Sequence, residues 1–217
     1  MRDSSTEDGI GTDEAGRFWE AHYADRGDVW RGTPNPLLAD TARQLTPGRA
    51  LDLGCGEGGD SVWLARQGWR VTAVDIASTA LARTARHAEE AGVGGRVTTE
   101  RHDLATGFPD GTFDLVSAQY LHTPFDLPRE RVLHRAAQAL APSGLLLVVD
   151  HGSTRPWAWN TDPDQHYPTP AETYATFALD PSVFTPERLE QPQRTATGPG
   201  GRQALVTDTV VAVRRAR

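Results

Sequence analysis

The chain has 217 residues, of which 38% are hydrophobic and 24% charged, a composition typical of one globular domain with a sizeable core. All 22 basic residues are arginines and Cys55 is the single cysteine, which excludes lysine Schiff bases, the P-loop lysine, disulfide frameworks and cysteine-based metal sites within the chain. The formal net charge of −7 disfavours broad binding to nucleic acid or to an anionic membrane.

The N-terminal part divides into two predicted regions. Residues 1–13 are acidic and polar, which predicts a flexible tail. Residues 14–48 open the single predicted domain, which spans residues 14–217, as a helical cap with aromatic side chains. No leader pattern opens the chain and no apolar run approaches about 20 residues, so we expect a cytoplasmic protein without a membrane segment.

Residues 49–150 alternate β-rich runs with helical segments. The predicted strands cover residues 50–53, 71–74, 97–101, 113–118 and 145–149. Alternation of this kind builds a parallel sheet through right-handed crossovers, so an α/β fold is predicted.

The last third of the chain has a different pattern. Residues 151–170 are rich in Pro, Trp and His without a clear period, which predicts a loop or lid. Residues 171–217 end in a long β-rich segment preceded by a turn at residues 198–201. This order predicts an antiparallel hairpin that closes the sheet.

A glycine-rich segment, residues 52–59, lies between the first predicted strand and the next helix. Ligands of open α/β sheets bind at the carboxyl ends of the strands, where glycines let a ligand approach the backbone and a helix N-terminus offers free N–H groups. Asp75 ends the next strand, 21 residues after Gly54, and a carboxylate there can accept both hydroxyls of an adenosine ribose. The pattern predicts a ligand that contains adenosine.

Two cofactors fit this pattern. Gly54, Gly56 and Gly59 match the GxGxxG spacing of nicotinamide dinucleotide sites, so a nicotinamide-dependent oxidoreductase is an alternative. Asp52 and Glu57 would repel the pyrophosphate of a dinucleotide, but they would attract the sulfonium and ammonium of S-adenosylmethionine (SAM). We therefore expect SAM. A non-catalytic SAM-binding module stays open as a further alternative.

Four segments resemble, in order and spacing, the successive motifs of class I SAM-dependent methyltransferases. They are ALDLGCGEG at 50–58, VTAVDI at 71–76, FPDGTFDLV at 108–116 and LAPSGLLLV at 140–148. The segment 30–38 is similar to that of the tellurite/thiopurine-like branch. The resemblance implies a Rossmann-like, seven-stranded, mostly parallel sheet with helices on both faces and an antiparallel C-terminal strand. It also implies methyl transfer from SAM.

The resemblance also implies a set of cofactor contacts. Asp75 would bind the ribose, and Ile76 would contact the adenine ring. Asp103 and Leu104 would face the adenine amino group and ring, while Gln119 would lie beside the methionyl moiety or the acceptor. The full predicted set is Asp52, Gly54, Cys55, Gly56, Asp75, Ile76, Asp103, Leu104 and Gln119. Asp52 and the loop glycines would hold the methionyl part, with Cys55 beside them.

The residues that would bind the methyl acceptor follow a weaker sequence pattern. His122 and His151 follow predicted strands on the active-site side, and either is a candidate general base for a hydroxyl or ammonium acceptor, although bonding within a loop explains both equally well. A thiolate or another soft nucleophile would need no base. Aromatic side chains that bracket the core predict a pocket roof: Tyr23, Trp30, Trp157 and Trp159. We expect a small-molecule acceptor, no nucleic-acid partner and no metal; the oligomeric state stays open.

Overall fold

A computed structural model describes residues 8–26, 32–158 and 165–217 of the protein. The helices are α1 (Asp8–Asp25), α2 (Pro36–Ala42), α3 (Gly59–Arg66), α4 (Ser78–Glu90), α5 (Arg129–Gln138) and α6 (Pro170–Thr176). The strands are β1 (Arg49–Leu53), β2 (Arg70–Asp75), β3 (Val97–Arg101), β4 (Phe113–Gln119), β5 (Leu140–His151), β6 (Phe184–Glu190), β7 (Gln193–Thr197) and β8 (Gln203–Arg215).

The strands form one sheet in the order β3-β2-β1-β4-β5-β8-β6. β1 to β5 pair in parallel, and β8 runs antiparallel to both β5 and β6. This path of seven strands confirms the predicted α/β fold with a mostly parallel sheet and an antiparallel C-terminal strand. β7 lies off the path and pairs antiparallel with the first part of β8, so the hairpin predicted around residues 198–201 is confirmed. The described residues thus contain eight strands, one more than the seven predicted.

Helices cover both faces of the sheet because the central strands are apolar on both sides. In β5, Leu146 and Val148 belong to the core layer that also contains Leu133 of α5. Leu145 and Leu147, which alternate with them, belong to the opposite layer. These four β5 side chains are at most 2% exposed, and burial of each stabilises the fold by about 1.5–3 kcal/mol. The continuous apolar run near residue 145 is therefore a central strand, as the sequence predicts.

The boundaries of the elements differ from the predicted ones at several places. Helix α1 begins at Asp8, so it includes residues 8–13 of the predicted flexible tail. The N-cap of α4 is Ala77, not Ser78 as the sequence predicted. The Ala77 N–H donates a hydrogen bond to the Asp75 carboxylate at 3.0 Å. The predicted division into tail, cap, core, lid and C-terminal part stays a prediction.

Within the described ranges no helix combines the length and the apolar character that crossing a membrane requires.

Candidate active site

A cavity opens at the carboxyl ends of β1, β2 and β4, under helix α1. Parallel strands bring their carboxyl ends to the same edge, so loops distant in sequence meet there. Of the nine residues predicted to contact a cofactor, the cavity wall contains Gly54, Asp75, Ile76, Asp103 and Leu104. The structure thus brings together the residues expected at the ribose and adenine.

The glycine loop is shaped by left-handed backbone and close neighbours. Gly54 and Gly56 have φ angles of 72° and 55°, a region that L side chains rarely adopt. A Cβ on Gly54 would lie 2.8 Å from the Leu121 Cδ1, and a Cβ on Gly56 would lie 3.2 Å from the Tyr23 hydroxyl oxygen. Neither position accepts a larger residue, so the loop keeps its backbone open toward the cavity.

Asp75 holds this loop in place. Its Oδ2 accepts the Gly56 N–H and its Oδ1 accepts the Ala77 N–H, both at 3.0 Å. The residue is 7% exposed, and burial raises the pKa of its carboxyl despite these hydrogen bonds. Each carboxylate oxygen retains a further lone pair for a ligand in the cavity.

Asp52 lies behind the cavity wall, since it is 2% exposed and accepts a hydrogen bond from the Ser61 hydroxyl at 2.6 Å. Burial, and then the neighbouring Asp60 carboxylate, raise the pKa of Asp52 to about 7. Glu57 is paired with Arg83 at 2.6 Å. At pH 7 Asp52 is therefore only partly ionised and the charge of Glu57 is balanced by Arg83, so both favour a cationic ligand less than the sequence alone suggests.

Two buried hydrogen-bond acceptors indicate which groups a bound ligand would have to supply. Within the described parts of the chain, the Asp103 Oδ2 and the Gln119 Oε1 are buried without a hydrogen-bond partner. The remaining polar atoms are used locally: Asp103 Oδ1 accepts the Ala105 N–H, and Gln119 Nε2 donates to the Ser117 hydroxyl, both at 2.9 Å. Because an unsatisfied buried acceptor costs about 1–3 kcal/mol, such atoms fit a ligand that brings donors, as the adenine amino group and the ammonium of SAM do.

The surroundings of Cys55 do not favour a catalytic role. Its sulfur lies 3.7 Å from the Gly56 carbonyl oxygen and 3.9 Å from the Thr84 hydroxyl. Burial, followed by the charges of Asp75 and Asp52, raises the pKa of the thiol well above its usual value. A thiol held neutral is a poor nucleophile, which agrees with the predicted supporting position in the loop.

Helix α1 forms the roof of the cavity through side chains on one of its faces. The Trp19 Nε1–H donates to the Thr123 hydroxyl at 3.1 Å, and the Phe18 and Phe125 rings meet edge to face at 5.2 Å. Tyr23, as predicted, lines the cavity. Trp19, for which the sequence leaves the pocket roof and plain hydrophobic packing equally open, lines it too. It lies four residues before Tyr23, a spacing that places both on one helical face.

The other predicted aromatic residues are not part of this wall. Trp30 and Trp159 lie outside the described residues. Trp157 packs against Gly198 in the turn between β7 and β8, where a Cβ on Gly198 would meet the indole ring at 2.3 Å. Trp157 is thus absent from the cavity lining as far as the described chain shows it.

The acceptor end of the cavity is formed by the loop after β4. Its wall includes Tyr120, Leu121, His122, Thr123 and Phe125. Tyr120 has a φ of 51°, an uncommon conformation for a tyrosine, and its carbonyl oxygen accepts the N–H two residues later at 2.8 Å. This tight turn directs the following residues back along the cavity.

The two candidate histidines differ in position. His122 lines the cavity, and its side chain is 49% exposed. His151 lies behind the wall, stacked on the Tyr120 ring with centroids 4.3 Å apart. Burial, followed by the charge of Arg155, lowers the pKa of His151 to about 4, so this ring is neutral at pH 7. No group of three or more His, Cys, Asp or Glu side chains in the described segments is arranged to hold a metal ion.

Residues 50–144 match the family model described as a methyltransferase domain. This match covers 95 of the 217 residues and agrees with the resemblance read from the four motifs. SAM is the methyl donor of this domain family.

Curated relatives match over part of their length. The chain is 31% identical over 134 residues to the ribosomal RNA small subunit methyltransferase C of Alcanivorax borkumensis, covering 58% of this chain and 39% of that protein. It is 40% identical over 103 residues to the ubiquinone biosynthesis O-methyltransferase of a Caulobacter strain, covering 46% and 40%. The chain thus spans about 40% of the length of these two relatives.

Solved structures share the fold over most of the chain. An enzyme studied for the conversion of a disulfide bond into a thioacetal group during echinomycin biosynthesis has 24% identity and a TM-score of 0.72, with 93% of each chain covered. TehB from Haemophilus influenzae has 16% identity and a TM-score of 0.59, with 91% of this chain and 67% of TehB covered. At these identities the likeness establishes the fold.

Proposed function

We propose that this protein transfers the methyl group of SAM to a small-molecule acceptor that enters beneath helix α1. The observation that carries the proposal is the pair of unsatisfied buried acceptors, Asp103 Oδ2 and Gln119 Oε1, beside a glycine loop that admits no side chain at Gly54. The ammonium of SAM would donate to the Gln119 Oε1. The adenine amino group that suits the Asp103 Oδ2 is present in a dinucleotide as well, so Gln119 is the residue that favours SAM.

Four of the five residues that would hold SAM line the cavity, and the fifth, Gln119, directly precedes Tyr120 of the lining. Asp75 would accept the ribose hydroxyls, and Ile76 with Leu104 would enclose the adenine ring. Asp103 would accept from the adenine amino group and Gln119 from the methionyl ammonium. When bound, SAM supplies an electrophilic methyl group on a sulfonium and a neutral leaving group. The chain's own task is to align the acceptor and to exclude water, which contributes about 7–11 kcal/mol in well-oriented reactions.

The small-molecule class is supported by the enclosure of the acceptor end. Trp19 and Phe125 cover the cavity, and the Trp19–Thr123 hydrogen bond ties the roof to the wall. An enclosed, largely apolar space suits a small organic acceptor. The net charge of −7 favours the same class over an extended RNA surface.

Ribosomal RNA is the second candidate, because the matched relatives include ribosomal RNA methyltransferases. A quinone-biosynthesis O-methyltransferase among the relatives favours a hydroxylated small molecule instead. The two candidates differ in the size of the acceptor that must pass beneath α1.

The test is an acceptor screen with the full chain and SAM, read by mass spectrometry as S-adenosylhomocysteine formed above a control without acceptor. We expect product with at least one class of phenol, alcohol, amine or thiol. Product with ribosomal RNA alone would move the protein to the RNA class. Tight SAM binding without product from any acceptor would support a binding module, and binding of NADH in place of SAM would support an oxidoreductase.

A further inference from the structure

Three polar side chains from three elements meet at the acceptor end of the cavity. The His122 Nε2 lies 3.3 Å from the Asp150 Oδ1, joining the loop after β4 to the end of β5. The first residue of α5, Arg129, donates from one guanidinium nitrogen to both Asp150 oxygens, at 2.7 and 2.6 Å. The cluster stands apart from the residues predicted to bind the cofactor.

Arg129 fixes the loop as well as the carboxylate. Its Nε–H donates to the carbonyl oxygen of Leu121 at 3.2 Å, one residue before the histidine. The same side chain therefore holds both the backbone that carries His122 and the carboxylate that faces its ring.

Asp150 is an ionised, buried partner. The residue is 8% exposed at the end of β5. Burial alone would raise the pKa of this carboxyl, but the hydrogen bond from His122 and the positive charge of Arg129 outweigh burial and hold the pKa below its usual value. At pH 7 the group is a carboxylate, which can only accept hydrogen bonds.

An acceptor-only partner determines the tautomer of the histidine. A lone pair on the Nε2 of His122 would be repelled by the carboxylate oxygen 3.3 Å away, so the neutral ring carries its proton on Nε2. In the neutral ring the lone pair then lies on Nδ1, which has no hydrogen-bond partner among the residues that the structure describes. With its side chain half exposed in the cavity wall, the ring can take a proton from an acceptor and pass it to water.

The neighbouring histidine does not oppose this role. The His151 ring lies 5.9 Å from the His122 ring, centroid to centroid, and inclined by 29°. As a neutral ring at pH 7 it places no second positive charge beside a protonated His122. Of the two histidines that the sequence left equivalent, only one has both a carboxylate partner and a place in the cavity wall.

We propose that Asp150 and Arg129 are positioning residues that hold His122 with Nδ1 as the proton acceptor for a hydroxyl group of the methyl acceptor. The inference rests on the proposed function and names its substrate class as a hydroxyl on an apolar body. The acceptor oxygen gains the methyl group and gives its proton to Nδ1, while the sulfur keeps the electron pair of the broken carbon–sulfur bond. A thiolate would have no proton to give and would leave the arrangement unused.

The first test uses kinetics with a hydroxyl acceptor found in the screen. His122→Asn should lower kcat by about 10²–10⁴-fold with the affinity for SAM unchanged. Asp150→Asn should lower kcat by about 10²-fold with little change in KM, and Asp150→Glu should restore part of it. His166→Asn is the matched control, since His166 is an exposed histidine near a carboxylate outside the cavity, 3.9 Å from Glu172. It should behave as wild type.

The second test needs neither cofactor nor acceptor. Long-range ¹H–¹⁵N correlation spectra of the cofactor-free protein, recorded where the imidazole is neutral, report the tautomer of His122. Wild type should show the Nε2–H form, and Asp150→Asn should show a mixture or the other form. If Asp150→Asn does not fold, Arg129→Gln should keep the Nε2–H form and lower kcat.

The outcomes separate the two proposals. A Nδ1–H tautomer in wild type, or full turnover of the hydroxyl acceptor by folded His122→Asn, overturns the positioning role while methyl transfer stands. The expected tautomer in a wild-type protein that methylates nothing overturns the proposed function instead. Turnover of thiols with no effect of any of these substitutions overturns the hydroxyl class.

Discussion

The cofactor side of the cavity and its acceptor side are built in different ways. On the cofactor side the contacts join residues close in the chain, such as Ser61 with Asp52, nine positions apart, and Gly56 with Asp75, nineteen positions apart. On the acceptor side the Trp19–Thr123 hydrogen bond spans 104 positions. The glycine loop is thus held by one strand–loop–helix unit and the end of the next strand, whereas the Trp19–Thr123 bond joins α1 to the loop after β4.

The two sides also differ in the pKa values of their buried carboxyl groups. Buried carboxylates of the cofactor side, Asp52 and Asp75, have raised pKa values because burial outweighs their hydrogen bonds. Asp150 on the acceptor side has a lowered pKa because His122 and Arg129 face it. Negative charge is thus weakened beside the glycine loop and maintained beside the proposed base.

The largest expected effect lies on the cofactor side. Asp75→Ala removes the carboxylate that holds the Gly56 N–H and that would accept the ribose hydroxyls. Charge-assisted hydrogen bonds contribute about 1.5–3 kcal/mol each, so the Kd for SAM should rise by at least about 10²-fold in calorimetry. Asp40→Ala, an exposed aspartate of α2, is the control and should bind as wild type. A Kd within threefold of wild type in a folded Asp75→Ala protein would contradict the ribose assignment.

The next effect concerns pH and the buried Asp52. Its pKa, about 7 in the folded protein, lies above its unfolded value of about 3.9, so the folded state binds the proton more tightly. This contribution to stability is complete below about pH 4 and is lost as the pH rises to about 7, with a slope of up to about 1.4 kcal/mol per pH unit. Burial raises the pKa of Asp60 to about 6, which adds to the same trend.

Urea unfolding of wild type and Asp52→Asn between pH 5 and pH 8 measures this contribution. The variant should lose stability less steeply than wild type as the pH rises, because the amide does not titrate. Asp40→Asn, on the surface of α2, should run parallel to wild type. Parallel curves for wild type and Asp52→Asn would show that the buried carboxyl titrates normally.

A smaller effect is expected from the shape of the glycine loop. Gly58 has a φ of 84°, and a Cβ there would lie 2.6 Å from the Thr84 Cγ2. Gly58→Ala should therefore destabilise the protein by about 1–2 kcal/mol and lower Tm by roughly 2–8 °C in calorimetry. Gly95→Ala is the matched control, because its Cβ would meet no described atom within 4 Å. Equal Tm values for the two variants would show that the left-handed backbone at Gly58 does not disfavour a side chain there.

The smallest effect tests the roof. Trp19→Phe keeps a large ring in α1 but removes the hydrogen bond to Thr123. A neutral hydrogen bond contributes about 0.5–1.5 kcal/mol, so KM for the methyl acceptor should rise by about 2–10-fold, and Thr123→Val should match it. The double variant should add little to either single change, since both remove one bond. Additive losses would show that the two residues act separately.

The sequence predicts the cofactor side well because its signals are local. Glycines at positions of left-handed backbone, a strand before them and Asp75 at the next strand end are all readable from spacing, and the structure brings Gly54 and Asp75 into one cavity. The sequence overestimates the negative charge on the cofactor side. Spacing shows that Asp52 and Glu57 are near the loop, but it does not show that Ser61 and Arg83 take up their carboxylates.

The acceptor side could be predicted only in part because its partners come from distant segments. The two candidate histidines could not be separated from the sequence, since the contact of His122 with Asp150 depends on the neighbouring positions of β4 and β5. The hairpin of β7 and β8 was predicted, but not that Arg194 of β7 donates to the Tyr120 hydroxyl at 2.9 Å from 74 positions away. A local sequence pattern does not indicate contacts between residues so far apart in the chain.

The central claim is that the cavity beneath α1 binds an adenosyl sulfonium and not a dinucleotide, and thermal unfolding with each ligand measures it directly. At a SAM concentration 100 times its Kd, binding to the folded state adds about 2.7 kcal/mol, which should raise Tm by roughly 5–10 °C. NADH at the same concentration should leave Tm unchanged. A rise with NADH and none with SAM would contradict the account.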